Sequence, residues 1–212
     1  MPRYFAVCKA REIPEIRRRV GFVFQNPDNQ LIGATVEEDI AFGPENMGYS
    51  PSSIREAVEY ALVVTGLKDL ANRPTHFLSG GQKQQLAIAG AVAMKTDCLI
   101  LDEPTSMLEP AGRSSVLRLL KRIINELKIT VVLVTHFMEE AVLADRVLVM
   151  AGGGIALDGT PSEVFRSNGK MEEIGLSPPG PAELARLLGK YGVVLPEPVL
   201  TVEQLVTCIC KL

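Results

Sequence analysis

The sequence has no excess of positive charge. Its 22 lysines and arginines face 25 aspartates and glutamates, a formal net charge of −3, which speaks against a nucleic-acid binder resting on a basic face. It has no long apolar run either. LAIAGAVAM and ITVVLVT fall well short of the roughly 18 residues a membrane span needs, so any membrane role is expected to come through a partner. The opening residues MPRYFAVCKAREI show no apolar core followed by a small-residue cleavage site and do not read as a signal peptide. The four cysteines, Cys8, Cys98, Cys208 and Cys210, form no C-x-x-C pair and no zinc spacing. With two histidines in the chain, a metal site on Cys208 and Cys210 lacks further soft ligands, and reduced cysteines are expected. Finally, no phosphate loop of the form G-x-x-x-x-G-K-S/T is present. The stretch GPENMGYS has glycines at the right spacing, but Tyr49 stands where the lysine belongs and no strand precedes it.

What is there suits a globular domain with a small appendage: 212 residues, 47% of them hydrophobic. RRRVGFVFQ reads as a basic turn and a buried strand ending at Gln25. SPSSIREAVEYALVVTGL has helical spacing, with Ser50 and Ser53 as candidate N-caps and Gly66 as its end. LSGGQKQQLAIAGAV places a serine and two glycines directly before another helix. CLILD and ITVVLVTH are continuous apolar runs, as expected of parallel strands covered on both faces. AGRSSVLRLLKRIINELK is amphipathic, MEEAVLA is a short helix, and RVLVMAGGGIALDG reads as a hairpin around Gly152, Gly153 and Gly154. Beyond the linker SPPGP come two helical pieces, AELARLLGK and TVEQLVTCICK, joined across LPEP. Alternating strands and helices argue for an α/β domain with a parallel sheet.

Three of these strands end in polar residues: Gln25, the pair Asp102 and Glu103, and His136. In open α/β sheets ligands bind at the carboxyl ends of the strands, so the three ends point to one site. Asp102 suits Mg²⁺, directly or through water. Glu103 can take a proton from an attacking water. Gln25 can orient that water or offer its amide oxygen to the cation. His136 can donate a hydrogen bond to a terminal phosphate oxygen. Ser79, Gly80 and Gly81 form a helix N-terminus with free N–H groups, a setting for an anion. Taken singly, each feature is more often a cap, a turn or a structural histidine; their joint order carries the weight.

In that order the sequence resembles the ATP-binding cassette (ABC) ATPases. LSGGQ, Leu78 to Gln82, matches their signature motif; CLILDEP matches the Walker B strand with its catalytic glutamate at Glu103. Gln25 matches the Q-loop and His136 the switch histidine. SMLE resembles the D-loop, with Glu109 in place of the usual aspartate. More narrowly, VGFVFQNPDNQLIGATVEEDIAFGPENMG and LPEPVLTVEQLV resemble the ATPase subunits of energy-coupling-factor (ECF) transporters, which take up vitamins and metal ions such as cobalt. The resemblance implies a P-loop NTPase-like core over 1–31 and 78–165, an α-helical signature subdomain over 32–77, and a C-terminal helical extension over 166–212. It implies ATP and Mg²⁺ as ligands, with Gln25, Glu103 and His136 catalytic, Asp102 and Gln25 on the metal, and Ser79, Gly80, Gly81 and Gln82 on nucleotide. It also implies a second ATPase subunit as homo- or heterodimer partner and a transmembrane coupling subunit docked near 26–46. A substrate-binding membrane subunit would be reached indirectly, and the chain would sit peripherally on the cytoplasmic face of the membrane. A DNA-repair or chromosome-structure ABC ATPase would show long insertions and a basic surface, and neither is present.

One departure stands out. Family members carry the phosphate loop and an adenine-stacking aromatic well upstream of the Q-loop glutamine. Here 24 residues precede Gln25 without such a loop, and Tyr4 and Phe5 lie too close to it to stack on adenine. The expectation is an N-terminally truncated member, from a shortened gene or a misplaced start codon, that is unstable and catalytically inactive alone. The alternative expectation is a non-catalytic partner that lends its LSGGQ loop to an intact ATPase subunit.

Overall fold

In the computed structural model, residues 13–166, 168–195 and 198–211 are described; Tyr4, Phe5 and Cys8, and part of LPEP, lie outside them. The chain divides into two compact units, one ending at Val134 and one beginning at Thr135.

The first unit is built on a three-stranded parallel sheet in the order β1 (Val20–Val23), β2 (Cys98–Asp102), β3 (Thr130–Val134). Phe22, Ile100 and Val132 stand in register across it, as do Val23, Leu101 and Leu133. The helices are α1 (Ile13–Arg19), α2 (Val36–Asn46), α3 (Pro51–Thr65), α4 (Gly80–Ala93) and α5 (Pro110–Arg122). The basic run Arg17 to Arg19 is the last turn of α1 rather than a loop, where cations meet the negative end of the helix dipole. Ser50, not Ser53, caps α3: its hydroxyl accepts from the Ser53 N–H, and Gly66 closes the helix in the left-handed conformation. Gly43 lies inside α2 and Tyr49 donates to the Met94 carbonyl, so GPENMGYS is helix and helix end, not a phosphate loop.

Burial follows the period of two along each strand. Val23, Leu99 and Leu101 are buried in one core with Leu86, Ile88 and Val92 of α4 and Val116 and Leu120 of α5. On the other face Phe22, Phe24, Val132 and Val134 are 42, 48, 45 and 47% exposed. This corrects the expectation of strands buried on both faces. A continuous apolar run shows that both faces can be covered, not that both are. Beyond α5 a π-helical turn, Ile123–Leu127, ends at the left-handed Lys128, so the amphipathic helix stops sooner than its apolar stripe.

The second unit contains α6 (Met138–Ala141), the antiparallel pair β4 (Val147–Ala151) and β5 (Gly154–Gly159), α7 (Pro161–Arg166), α8 (Asn168–Glu173), α9 (Gly180–Lys190) and α10 (Val202–Ile209). Val149, Val164, Phe165, Met171 and Leu200 form its main core; Leu195, Val199 and Leu205 form a smaller one.

The end of the loop between β1 and α2 is held by the Asp39 carboxylate. The N–H groups of Ile32 and Gly33 donate to Asp39 Oδ1 at 2.6 and 2.8 Å. Burial pushes the Asp39 carboxyl up, against the opposing pull of those two bonds. A raised folded value means that its contribution to stability is full below the unfolded aspartate value of about 4 and is lost as pH rises through the folded one. Asp39→Ala leaves two N–H groups unpaired and is expected to cost about 2–3 kcal/mol. Asp39→Asn keeps an acceptor without the desolvated charge and is expected to fall within about 1 kcal/mol of the parent at pH 7. Urea midpoints at pH 4 and pH 7 check both, and the asparagine variant should lose the carboxyl's share of the pH dependence.

Candidate functional site

Ser79 is the N-cap of α4 in a full capping box. Its hydroxyl accepts from the Gln82 N–H at 3.3 Å, and Gln82 Oε1 accepts from the Ser79 N–H at 2.9 Å. The box fixes the first turn and leaves the Ser79 hydroxyl proton available. Gly80 and Gly81 open the helix, so their N–H groups have no carbonyl four residues back within it, an arrangement that with the helix dipole suits an anion. Gly81 is also a packing residue: a Cβ there would lie 3.1 Å from the Gly112 Cα of α5. Gln82, expected on nucleotide, has its carbonyl oxygen engaged in the cap and its amide nitrogen still a donor.

At the carboxyl ends of β1 and β2 the structure brings Gln25, Asp102 and Glu103 together. Gln25 Nε2 donates to Glu103 Oε2 at 3.0 Å and to Ser106 Oγ at 3.1 Å. Ser106 in turn donates to the Glu103 carbonyl at 2.9 Å. Glu103 stands at φ +45°, a region few residues other than glycine adopt. Its N–H on the Val134 carbonyl, 2.9 Å away, and its side chain on Gln25 hold it there. Beside this group an open cleft of about 380 Å³ is lined by Phe24, Gln25, Asn26, Asn29 and Asp102. One carboxylate among amides is an all-oxygen donor set suited to a hard cation that keeps waters and phosphate oxygens as its other ligands. Asp102 and Gln25 therefore fit Mg²⁺. Among the described residues no cluster of three or more His, Cys, Asp or Glu could hold a metal by itself, which includes Cys208 and Cys210.

His136 belongs to the second unit, where its ring lies 4.2 Å from that of Phe137. Thr135 beside it donates to Glu140 at 2.8 Å. Glu109 is the N-cap residue of α5 but makes no side-chain cap bond. Aspartate is a strong cap where glutamate is not, so Glu109→Asp is expected to stabilise the chain by about 0.5–1 kcal/mol, read as a rise in the urea midpoint.

Two glutamines and one serine at the site have no role read from the sequence. Ser106 lies in the D-loop-like stretch. Gln30 and Gln84 both reach the backbone of Phe24, at 3.1 and 3.2 Å. For Gln84 a signal existed: it falls at helical spacing with Ala87, Ile88 and Ala91 and is a polar residue on an otherwise apolar stripe.

The sequence profile of ABC transporters matches residues 5–106. The energy-coupling factor transporter ATP-binding protein EcfA1 of Caldanaerobacter subterraneus subsp. tengcongensis is 52% identical over 202 residues, covering 95% of this chain and 73% of the relative. EcfA1 of Symbiobacterium thermophilum is also 52% identical, covering 93% and 69%. Among solved structures, cbiO1 from Clostridium perfringens, part of the ABC transporter complex cbiONQ, superposes with a TM-score of 0.72 at 39% identity, covering 87% of this chain and 72% of that one. The dimeric ATP-binding cassette MJ0796, bound to ADP and Pi, gives 0.61 at 30% identity, covering 73% and 68%. These likenesses agree with an ABC ATPase core read from the strand ends and the capped LSGGQ helix, and the chain belongs to the ATP-binding proteins of energy-coupling factor transporters.

Proposed function

We propose that this chain is the ATP-binding subunit of an ECF-type ABC transporter and couples ATP hydrolysis to uptake of a vitamin or a metal ion. The head of α4 carries this reading: Ser79, Gly80 and Gly81 present one hydroxyl and two N–H groups from a fixed turn. Such a surface binds phosphate by charge and direction together. In a dimer of ATPase subunits it would close on the terminal phosphate of nucleotide held by the other subunit. Asp102 and Gln25 would hold Mg²⁺, which neutralises charge developing on the phosphate oxygens. Glu103 would take the proton of the attacking water, its side chain aimed by Gln25 and its backbone by Ser106. His136 would donate to a phosphate oxygen.

Among the described residues no helix is long and apolar enough to cross a membrane. Membrane association would therefore run through a transmembrane coupling subunit at 26–46, where Ile32 is exposed, on the cytoplasmic face. A substrate-binding membrane subunit would be engaged through that coupling subunit.

A second reading is favoured by the signature helix being complete within this chain: the chain lends that loop to a partner and need not turn over ATP itself. ATP hydrolysis, measured for the chain alone and mixed with a family member that carries a G-x-x-x-x-G-K-S/T loop, separates the two. Turnover by the chain alone supports a complete catalytic subunit. Stimulation seen only in the mixture supports lending. Absence of both sinks the ATPase assignment altogether.

A further inference from the structure

Gln84 is fully buried, at 0% exposure, yet its amide is half used. Nε2 donates to the Phe24 carbonyl at 3.2 Å, while Oε1 has no partner among the described residues. A buried acceptor without a donor is costly, and an apolar residue of the same shape would fill the place at no such cost. What the amide secures is the peptide directly before Gln25. The same residue is gripped from its other side: Gln30 Oε1 accepts from the Phe24 N–H at 3.1 Å, and Gln30 Nε2 donates to the Phe22 carbonyl at 3.0 Å. Phe24, directly after β1, thus has both its backbone groups held by glutamine side chains.

Gln84 lies on α4, five residues after Ser79, so about 7–8 Å of helix separates it from the head of the signature turn. Its neighbour Lys83 reaches Asp28 Oδ1 at 2.6 Å, just beyond Gln25. The helix that offers Ser79 to one phosphate is therefore tied on both sides of Gln25, the residue that holds Glu103 at another.

We infer that Gln84 is a positioning residue: by holding the Phe24 carbonyl it sets Gln25 against Glu103, and it links the position of α4 to that contact. This rests on the ATPase assignment for its kinetic consequence but not for its structural one, and the experiment has an arm for each.

In the full chain, Gln84→Met keeps the shape and removes the donor. Amide hydrogen exchange at Phe24 to Asn26 is expected to accelerate about tenfold or more, with the amides of 86–93 within about twofold of the parent. Equal acceleration across α4, or none at 24–26, overturns the inference and leaves Gln84 as a core filler. Lys83→Met, which cuts only the ion pair and leaves the buried amide in place, should accelerate 24–26 by less than Gln84→Met; the reverse order also overturns it. In any preparation whose turnover Gln25→Ala lowers, Gln25→Ala with Gln84→Met is expected to have the turnover of Gln25→Ala alone, because one acts through the other. Multiplying losses would overturn the coupling. If no mixture hydrolyses ATP, the ATPase assignment falls while the exchange result still decides the role of Gln84.

Discussion

Ser79→Asp is expected to leave the chain folded and to lower ATP hydrolysis in the mixture with a phosphate-loop subunit by about 10²-fold or more. The reasoning separates two jobs of one side chain. As an N-cap, Ser79 accepts from the Gln82 N–H. Aspartate caps as well as serine does, so stability should change by less than about 0.5 kcal/mol. As a phosphate ligand, Ser79 offers a hydroxyl proton; aspartate offers none and sets a carboxylate against an anion. Two like charges about 4 Å apart repel by roughly 4 kcal/mol at an effective dielectric near 20, enough to cancel the attraction of the helix end. Ser79→Ala makes the opposite cut: it loses the cap, costing about 1 kcal/mol, and loses the donor without adding charge. Thermal unfolding and hydrolysis rates on both variants resolve the two jobs. Undiminished stimulation by Ser79→Asp would place the nucleotide elsewhere.

Gly33→Ala is expected to cost about 3 kcal/mol or more. A Cβ at residue 33 would stand 2.3 Å from the Asp39 N and 2.6 Å from its Cα. Both are backbone atoms of the α2 helix, so no rotamer change can make room. Moving the loop away also breaks the bonds from Ile32 and Gly33 to Asp39. The effect should appear as a lower urea midpoint and faster exchange of the Ile32 and Gly33 amides. Gly48, whose added Cβ would meet nothing within 4 Å, serves as a comparison in which only the left-handed backbone, at φ +75°, is tested.

Elements were legible in the sequence where one local cause decides them. Ser79 with Gln82, Thr35 with Glu38 and Thr201 with Gln204 each form capping boxes, and Ser50 and Gly66 bound α3 as their chemistry requires. The first two strands could be placed from apolar runs alone, although β1 ends at Val23, two residues before the expected Gln25. The contacts that aim the site were not legible, because they join residues far apart in the chain: Gln25 to Ser106, and Gln84 to Phe24. Nothing local marks which of several glutamines turns inward. Face coverage of the sheet was misjudged for a related reason, since Val132 and Val134 look alike whether or not something lies over them.

The amides that aim Glu103 are uncharged. Gln25, Gln30 and Gln84 act through short dipolar bonds, one of them in a fully buried place, where dissolved ions have little to screen. Lys83 and Asp28, by contrast, are an ion pair with the aspartate 61% exposed. At the Debye length of about 3 Å that 1 M salt imposes, such a pair weakens. Raising ionic strength therefore loosens the outer strap on α4 while leaving the buried one in place, so a cell of high internal salt would rely on the glutamines rather than the ion pair to keep Gln25 aligned.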